Sequence, residues 1–254
     1  KQDFNVCLIS DVIEKTEKTP GNNLVTFLSS GSLNYLSTII SEFNRFKDFN
    51  EISQIRCKLD NLSIGKDKSI SFYDKENRSF GKIIQNSSIE ECINDDLKKL
   101  KNFNVLENLE ITDLEFTDNG IILSLDNKTK ITSELFIATS KKNKNVLDAI
   151  KVNFITKNFD QSALSISLEG HLKNKNCAFQ KFTPHGPLAL LPYKEKEASV
   201  VWSLKNNSKY LLESNEKILD IIQENLCDHL EITKLIDLKK YELHFSYAKK
   251  LFYK

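Results

Sequence analysis

The residue types that most often do chemistry are dispersed along this chain of 254 residues. The five cysteines are widely spaced with no Cys-x-x-Cys pair, which predicts neither a zinc site nor a disulfide framework. Of the four histidines, His185 lies in the most informative segment, where a group that titrates near neutrality could orient or protonate a substrate. No glycine-x-serine-x-glycine turn presents a nucleophile. These residues by themselves predict no metal site and no covalent catalyst.

The informative segment, residues 177–204, is typical of two strands joined by a charged turn at residues 194–197. Gly186 and Pro187 interrupt the first strand. Because proline lacks a backbone donor and glycine allows close approach, such a strand suits the wall of a pocket. The residues expected to line this pocket are Phe182, His185, Gly186, Pro187, Leu188, Leu190 and Trp202. For Phe182, Leu188, Leu190 and Trp202 the alternative is ordinary sheet core, and for His185 it is polar surface.

The elements before this segment begin with an apolar run at residues 4–9, which predicts a buried parallel strand. Apolar residues at helical spacing then predict a helix over residues 32–46. Residues 52–62 and 69–73 predict a strand pair.

Two further helices are indicated by their capping residues. Ser87 and Glu90 fit a capping box at the start of one helix, which carries a single apolar stripe. Ser214 is the expected N-cap of the last helix.

Between these helices the apolar period changes to two. Residues 104–139 predict successive strands, the last of them at 134–139, with a hairpin turn at 118–120. Residues 154–204 form a second β-rich stretch. The order is therefore mixed α/β, interrupted twice by antiparallel sheet, and is typical of two domains that exchange segments.

The charge balance limits the classes of partner. A net charge of +1 gives no electrostatic basis for binding nucleic acid. No apolar run is long enough to predict a transmembrane segment. The chain has no methionine, so we expect its natural start to lie upstream, and the scattered thiols favour a reducing, cytoplasmic compartment.

Residues 177–204 resemble the 2-polyprenyl-6-methoxyphenol hydroxylase family of ubiquinone biosynthesis, relatives of para-hydroxybenzoate hydroxylase. The residues that carry the resemblance are Phe182-Thr183-Pro184, Gly186 to Pro192, and Val201-Trp202. Weaker similarities follow the family order at residues 29–36, 81–86 and 159–163.

The resemblance implies a Rossmann-like FAD-binding layer interleaved with an antiparallel-sheet substrate domain, truncated at both ends. On this interpretation residues 1–50 and 81–150 form a partial FAD-binding domain, and residues 51–80 and 151–254 form the substrate domain. It also implies FAD as cofactor and NAD(P)H as reductant. Because the flavin does the oxygen chemistry, no side chain is expected to be the nucleophile.

The chain departs from the family where flavin is normally held. The family acid that binds ribose at the end of the second strand is replaced by Ser10, with Asp11 next to it, and the family's aspartate-glycine motif is replaced by residues 140–144. The flavin-binding positions implied by the resemblance are Ser10, Asp11, Gln85, Ser140 and Lys141. The lysines there either neutralise flavin phosphate or form a solvated loop.

The function implied by the resemblance is hydroxylation of an aromatic ring in a polyprenylated ubiquinone precursor, a lipophilic small molecule. One alternative is a non-catalytic relative that serves as a binding or scaffold subunit among other ubiquinone-biosynthesis proteins. Another is an oxidoreductase acting on a different aromatic compound. Peripheral association with the inner membrane is a further expectation, because the substrate would be lipophilic.

Overall fold

The computed structural model describes residues 4–10, 24–41, 43, 49–59, 69–74, 76, 78–139 and 143–252. The strands are β1 Val6–Ser10, β2 Val25–Ser29, β3 Phe49–Ile52, β4 Gln54–Leu59, β5 Ser69–Tyr73, β6 Gly81–Gln85, β7 Phe103–Glu107, β8 Ile111–Thr117, β9 Gly120–Leu125, β10 Lys130–Ser133, β11 Phe154–Leu172, β12 Cys177–Thr183, β13 Gly186–Pro192, β14 Glu197–Lys205 and β15 Leu230–Ala248. The helices are α1 Ser30–Ile39, α2 Asn86–Leu97, α3 Lys144–Ala149 and α4 Asn215–Leu226, with a 3₁₀ turn at Lys209–Leu212.

The chain divides into two compact units, and the first comprises residues 1–15, 100–157 and 245–254. Here β1 and β7 pair in parallel, and β8, β9 and β10 form an antiparallel meander. Asn143 caps α3 by accepting a hydrogen bond from the backbone of Val146, whose side chain packs into the core of the meander. Hydrophobic residues at alternate strand positions build that core.

The second unit comprises residues 16–99 and 158–244. Its main element is a seven-stranded sheet with the order β15-β11-β14-β13-β12-β4-β5. The β12–β4 pair is parallel, whereas the β11–β14, β14–β13, β13–β12 and β4–β5 pairs are antiparallel. A separate three-stranded sheet has the order β2-β6-β3.

Helix α4 covers one face of the seven-stranded sheet. Its hydroxyl N-cap, Ser214, accepts a hydrogen bond from the backbone N–H of Lys217, which satisfies a donor that the helix itself cannot. Ile218, Ile222 and Leu226 recur every four residues and are buried against the sheet. We call the covered surface the helix face; its sheet residues are Leu164, Ile166, Leu168, Phe179, Leu188, Leu190, Ala198, Val200, Trp202 and Leu204.

The opposite surface of the same sheet is the serine face. Side chains alternate along a strand, so the neighbours of the helix-face residues point the other way. On β11 and β14 these neighbours include Ser165, Ser167, Ser199 and Ser203. At one end this face packs on the three-stranded sheet, through a cluster that contains Ile52, Ile83, Ala178 and Tyr193.

Several predictions made from the sequence are confirmed. β4 and β5 form the predicted strand pair, and β8 and β9 meet across the predicted turn, where Thr117 pairs with Gly120. Ser214 is the N-cap of the last helix. The mixed α/β fold class holds over the described residues.

The capping-box prediction is wrong. Helix α2 begins at Asn86, directly after β6, so Ser87 and Glu90 lie inside it and the N-cap is Gln85, without a side-chain capping bond. The reason is tertiary: the backbone N–H of Asn86 donates to Leu24 O at 2.9 Å, and the Thr26 hydroxyl donates to the Asn86 side chain at 2.6 Å. These bonds to Leu24, just before β2, and to Thr26 in β2 fix the start of the helix at Asn86, ahead of the predicted capping box.

Three other element predictions need correction. The first helix spans Ser30–Ile39 rather than 32–46, because Ile40 is already extended. The first strand is parallel, but its side chains are largely exposed rather than buried. Residues 134–139 form neither strand nor helix, and Leu135 and Ile137 are 72% and 71% exposed.

The division into compact units follows other boundaries than the predicted domains. Residues 24–41 and 81–99 group with the seven-stranded sheet, while residues 100–139 group with β1. The assignment of these segments to a nucleotide-binding domain stays a prediction. Among the described helices, none combines the length and the apolar character needed to cross a membrane.

Candidate functional site

The serine face carries a floor of small side chains near the β12–β13 hairpin. Ser165 pairs with Val201, which pairs with Ala189, which in turn pairs with Gln180 across four adjacent strands. Because paired residues point to the same side of a sheet, these four form one row. All four are only partly buried. A second row runs alongside the first, with Ala163 paired to Ser203 and Pro187 paired to Phe182.

One side of this floor is bordered by exposed apolar side chains. Phe182 is 42% exposed and pairs with Leu59, which is 46% exposed. On the next strand Ile70 and Phe72 point to the same face, because they pair with Cys57 and Ile55. A floor that carries the hydroxyl groups of Ser165 and Ser203 and the amide of Gln180 therefore continues into an apolar strip formed by Phe182, Leu59, Ile70 and Phe72.

The seven residues predicted to line a pocket are divided between the two faces of the sheet. Leu188, Leu190 and Trp202 lie in the core under α4, and Trp202 is only 1% exposed. For these three the sheet-core alternative is correct, because residues that pack under α4 cannot also line the opposite face. Phe182 and Pro187 lie on the serine face, where their role in a pocket stays a prediction.

Gly186 is required by strand pairing. It closes the β12–β13 hairpin opposite Thr183, with φ at +138°, and a Cβ there would lie 1.9 Å from the carbonyl oxygen of Ser203. The sequence prediction of a kinked strand therefore needs correction: residues 177–192 form two strands joined by a turn at Pro184 and His185. The Thr183 hydroxyl donates to Gly186 O at 2.8 Å and stabilises that turn.

His185 lies on the exposed hairpin turn. Its Nε2 is 3.2 Å from the hydroxyl of Tyr210, and the two rings meet edge-on at 4.8 Å between centroids. Tyr210 also packs on Trp202, with ring centroids 5.0 Å apart. Residues 209–212 are thus held against the hairpin. The geometry gives His185 a structural contact, and its role in substrate orientation stays a prediction.

Tyr193 is a buried polar residue that the sequence did not single out. Its hydroxyl donates to Glu197 Oε2 at 2.7 Å, and Glu197 also pairs with Lys194 at 3.3 Å. Burial, and then the hydrogen bond and charge of Glu197, raise the pKa of Tyr193 far above its ordinary value. The phenol therefore stays protonated and stabilises the charged turn between β13 and β14. Only its position before that turn could have indicated this role.

The positions predicted to hold flavin fall in several places. Ser10 ends β1 and pairs with Glu107 at the end of β7, so both side chains lie at the carboxyl end of a parallel strand pair. Ligands of open α/β sheets bind at that end, and Glu107 supplies a carboxylate next to the position where Ser10 lacks one. Gln85 belongs to the second unit and caps α2 by its backbone. Asp11, Ser140 and Lys141 lie outside the described residues.

Flavin fits the described residues in part. Ser10 and Glu107 are suited to hydrogen-bonding a ribose, as an acid at the end of a strand does in dinucleotide-binding folds. Within the ranges given above, however, no glycine-rich turn between a strand and a helix is present to hold a pyrophosphate. Ser10 and Glu107 could thus contact the ribose of a dinucleotide, whereas the described residues include no cradle for its phosphates. No cluster of potential metal ligands occurs among them either.

Comparison with curated proteins finds distant relatives of one kind. The chain is 24% identical over 239 residues to ubiquinone biosynthesis monooxygenase COQ6 of Homo sapiens, covering 89% of this chain and 50% of that protein. It is 22% identical over 127 residues to ubiquinone hydroxylase UbiL of Rhodospirillum rubrum, covering 50% of this chain and 30% of the relative. The chain thus spans about half the length of the COQ6 protein that it matches. No protein-family model matches.

Solved structures agree on the fold. 2-Methyl-3-hydroxypyridine-5-carboxylic acid oxygenase superposes with a TM-score of 0.69 at 14% identity, covering 96% of this chain and 65% of that one. p-Nitrophenol 4-monooxygenase of Pseudomonas putida gives 0.67 at 12% identity, covering 96% and 63%. At these identities the likeness concerns the fold alone. Taken with the relatives in sequence, the chain is a distant homologue of the ubiquinone-biosynthesis FAD monooxygenases, with the mixed α/β fold of para-hydroxybenzoate hydroxylase-like flavin monooxygenases.

Proposed function

We propose that this protein is a FAD-dependent monooxygenase that hydroxylates an aromatic ring of a polyprenylated ubiquinone precursor. The observation that carries the proposal is the floor of the serine face, considered together with the distant homology. Ser165, Ala189 and Ser203 have small side chains that are only partly buried, so a planar ring could lie against the sheet at this place. The hydroxyl groups of Ser165 and Ser203, with the Gln180 amide, can hydrogen-bond ring oxygens.

The apolar strip supports the choice of a lipophilic substrate. Phe182, Leu59, Ile70 and Phe72 extend the floor across β12, β4 and β5 with exposed hydrophobic side chains. An isoprenoid tail laid along this strip would remove apolar surface from water on both partners. The head group would then lie over the serines while the tail follows the edge of the sheet.

Bound FAD, reduced by NAD(P)H, would supply the oxygen chemistry, so that the protein's residues need only bind, orient and exclude water. Ser10 and Glu107 would hold the ribose by hydrogen bonds. Ser203 and Ser165 would orient the ring through its oxygen atoms. Phe182 and Pro187 would shield one side of the ring from solvent.

The test is a matched pair of serine substitutions in the complete protein. Ser203→Leu places a branched side chain on the floor, whereas Ser71→Leu places the same side chain on an exposed position of β5, on the opposite face of the sheet. Ser203→Leu should lower kcat/KM for a polyprenylated phenol by about 100-fold, because misplacing the ring costs orders of magnitude. Ser71→Leu should leave kcat/KM within about twofold. Equal effects of the two substitutions would overturn the proposed site.

A non-catalytic binding subunit of a quinone-biosynthesis assembly is the second candidate. It is favoured by Ser10, which stands where the family has an acid, and by the missing phosphate cradle among the described residues. Purified complete protein that is colourless and takes up no added FAD, yet still binds a polyprenylated phenol, would support this candidate over the enzyme. Uptake of flavin with hydroxylation of the phenol would exclude it.

A further inference from the structure

Strand β15 forms one edge of the seven-stranded sheet. Its neighbour is β11, and no other described strand pairs with it. It is 19 residues long and contains neither proline nor glycine. Edge strands of natural proteins are usually short, or carry prolines, bulges or lysines, because an open row of backbone N–H and C=O groups invites pairing with another chain. The length and regularity of β15 therefore favour association through this edge.

Gln223 shows which backbone groups of β15 face away from β11. Its side-chain amide donates to Leu230 O at 2.9 Å, and its Oε1 accepts from the backbone N–H of Ile232 at 2.7 Å. On the inner side, the carbonyl of His229 accepts from the backbone N–H of Lys173, which lies just after β11. Because backbone groups alternate between the two edges of a strand, the even-numbered residues of β15 direct theirs outward. Gln223 thus occupies the place of a partner strand at the start of β15.

After these first residues the outward backbone groups of β15 have no such cover. Among the described residues, none hydrogen-bonds the outward N–H and C=O groups of residues 234–242, a segment that we call the open edge. Two of its apolar side chains, Ile236 and Tyr241, are 39% and 37% exposed. Lys234 and Glu242 are exposed at its two ends. The open edge thus offers backbone hydrogen-bonding groups together with apolar and charged side chains.

The charges of the open edge are complementary to those of a second copy in antiparallel register about Leu238. In that register Lys234 lies opposite Glu242 of the other copy, and Asp237 lies opposite Lys239 of the other copy. Each pair occurs twice, because the arrangement is twofold symmetric. Registers centred one residue to either side would place two copies of Asp237 or of Lys239 opposite each other, which is unfavourable. The lysines that would normally keep an edge strand apart from other chains therefore meet carboxylates.

The backbone and the apolar side chains suit the same register. It places the outward-facing residues of one copy opposite those of the other, so that facing pairs can exchange two hydrogen bonds. Leu238 meets its own copy at the centre, and Ile236 lies diagonally beside it. Tyr241 lies opposite Leu235 of the other copy. A net charge of +1 keeps the overall repulsion between two copies small.

We propose that the open edge is a homodimer interface, in which the β15 strands of two copies pair in antiparallel register about Leu238. The pairing joins the two seven-stranded sheets into one continuous sheet and removes both open edges. The partner is thus a second copy of this chain. The proposal concerns the edge of the sheet and not the substrate floor, so it does not depend on the proposed function.

The test is sedimentation equilibrium of the full chain, comparing the wild type with charge-swapped variants. The wild type should form a dimer that dissociates on dilution. Lys234→Glu places two glutamates opposite each other at both ends of the interface, and Glu242→Lys does the same with two lysines. Each substitution alone should weaken dimerisation about tenfold, because attraction becomes repulsion at two symmetry-related pairs. An equimolar mixture of the two variants should associate as tightly as the wild type, because their heterodimer has opposite charges at both pairs.

The matched control is Lys205→Glu, which makes the same change of charge at an exposed position of β14. It should leave dimerisation unchanged. Lys234 and Glu242 are exposed, so both single variants should keep the thermal midpoint of the dilute wild-type monomer. The proposal is overturned if the wild type is monomeric at every concentration, if the single variants dimerise as tightly as Lys205→Glu, or if mixing them does not restore association.

Discussion

The two faces of the seven-stranded sheet are built from the same strands but carry different kinds of side chain. On β14, Val200, Trp202 and Leu204 point to the helix face and are buried under α4. Between them, Val201 and Ser203 point to the serine face and are only partly buried. The helix face is filled by large hydrophobic side chains that stabilise the fold. Around Ser165, Ala189 and Ser203 the serine face carries smaller side chains that are only partly buried, and we propose that these contact a ligand.

Because side chains alternate along a strand, one sheet can present a packed hydrophobic core on one face and a partly exposed surface suited to binding on the other. A substitution on the helix face should cost free energy of unfolding, and one on the serine face should cost binding. Substitutions in the backbone that both faces share, and then on each face in turn, can test that separation.

The largest loss of stability is expected from Gly186→Ala. The new Cβ would lie 1.9 Å from the Ser203 carbonyl oxygen, at a φ of +138° that L residues rarely adopt, so the β13–β14 pair must move apart. We expect the free energy of unfolding to fall by about 3 kcal/mol or more, measured by urea denaturation.

Gly31→Ala is the control for that measurement. Gly31 lies in α1, and the nearest atom to an added Cβ is 3.9 Å away. Alanine should stabilise this helix by up to about 1 kcal/mol. If Gly186→Ala cost no more free energy of unfolding than Gly31→Ala, close backbone approach at Gly186 would be refuted.

The next largest loss of stability is expected at one of two adjacent valines of β14, which point to opposite faces of the sheet. Val200→Ala removes two methyl groups from the core under α4, which should cost about 2 kcal/mol. Val201→Ala makes the same change on the serine face, where the side chain is partly exposed, and should cost less than about 1 kcal/mol. Equal losses in chemical denaturation would contradict the assignment of the two faces.

A smaller effect is expected at the helix that covers one face. Ser214→Ala removes the hydroxyl that accepts from Lys217 N at the start of α4, and should cost about 1 kcal/mol in thermal or urea unfolding. Ser87→Ala removes the serine of the apparent capping box, which lies inside α2. It should be neutral or stabilise by up to about 0.5 kcal/mol. If Ser87→Ala lowered the free energy of unfolding as much as Ser214→Ala, Ser87 would have to be a capping residue of α2 after all.

The smallest expected effect is a dependence of stability on pH, caused by His229 on the helix face. Burial, together with the charges of Arg56, Lys58 and Lys173, and against that of Asp228, holds the pKa of His229 below its ordinary 6.5 in the folded protein. The unfolded chain therefore binds more protons as the pH falls through 6.5, and stability declines there. The thermal midpoint should fall between neutral and mildly acidic pH. His229→Gln should flatten this slope, whereas His171→Gln, at an exposed position, should leave it unchanged.

The positions of the strands could be predicted from the sequence better than the face to which each side chain points. The period-two pattern over residues 154–204 marks the strands, but it does not say which face meets α4. Phe182 and Trp202 were therefore expected in one pocket wall, although they point to opposite faces. Moving an assignment by one residue exchanges the two faces, so the error follows from the pattern itself.

Long-range contacts explain most of the remaining differences. Nothing in the residues around Gln54 and Cys177 indicates that β4 and β12 pair in parallel. The start of α2 is fixed by two hydrogen bonds of Asn86, which donates its backbone N–H to Leu24 O and accepts from the Thr26 hydroxyl, and these outweigh a local capping signal.

The parallel junction between β4 and β12 also bears on how the chain is made. During synthesis β4 leaves the ribosome long before Cys177 and its neighbours exist, so its partner edge stays vacant while the intervening residues are added. The β4–β5 hairpin, with its exposed Ile70 and Phe72, must wait as an isolated two-stranded ribbon, which is marginally stable in water. Nascent chains that stop before residue 177 are thus expected to expose this ribbon to proteases and chaperones.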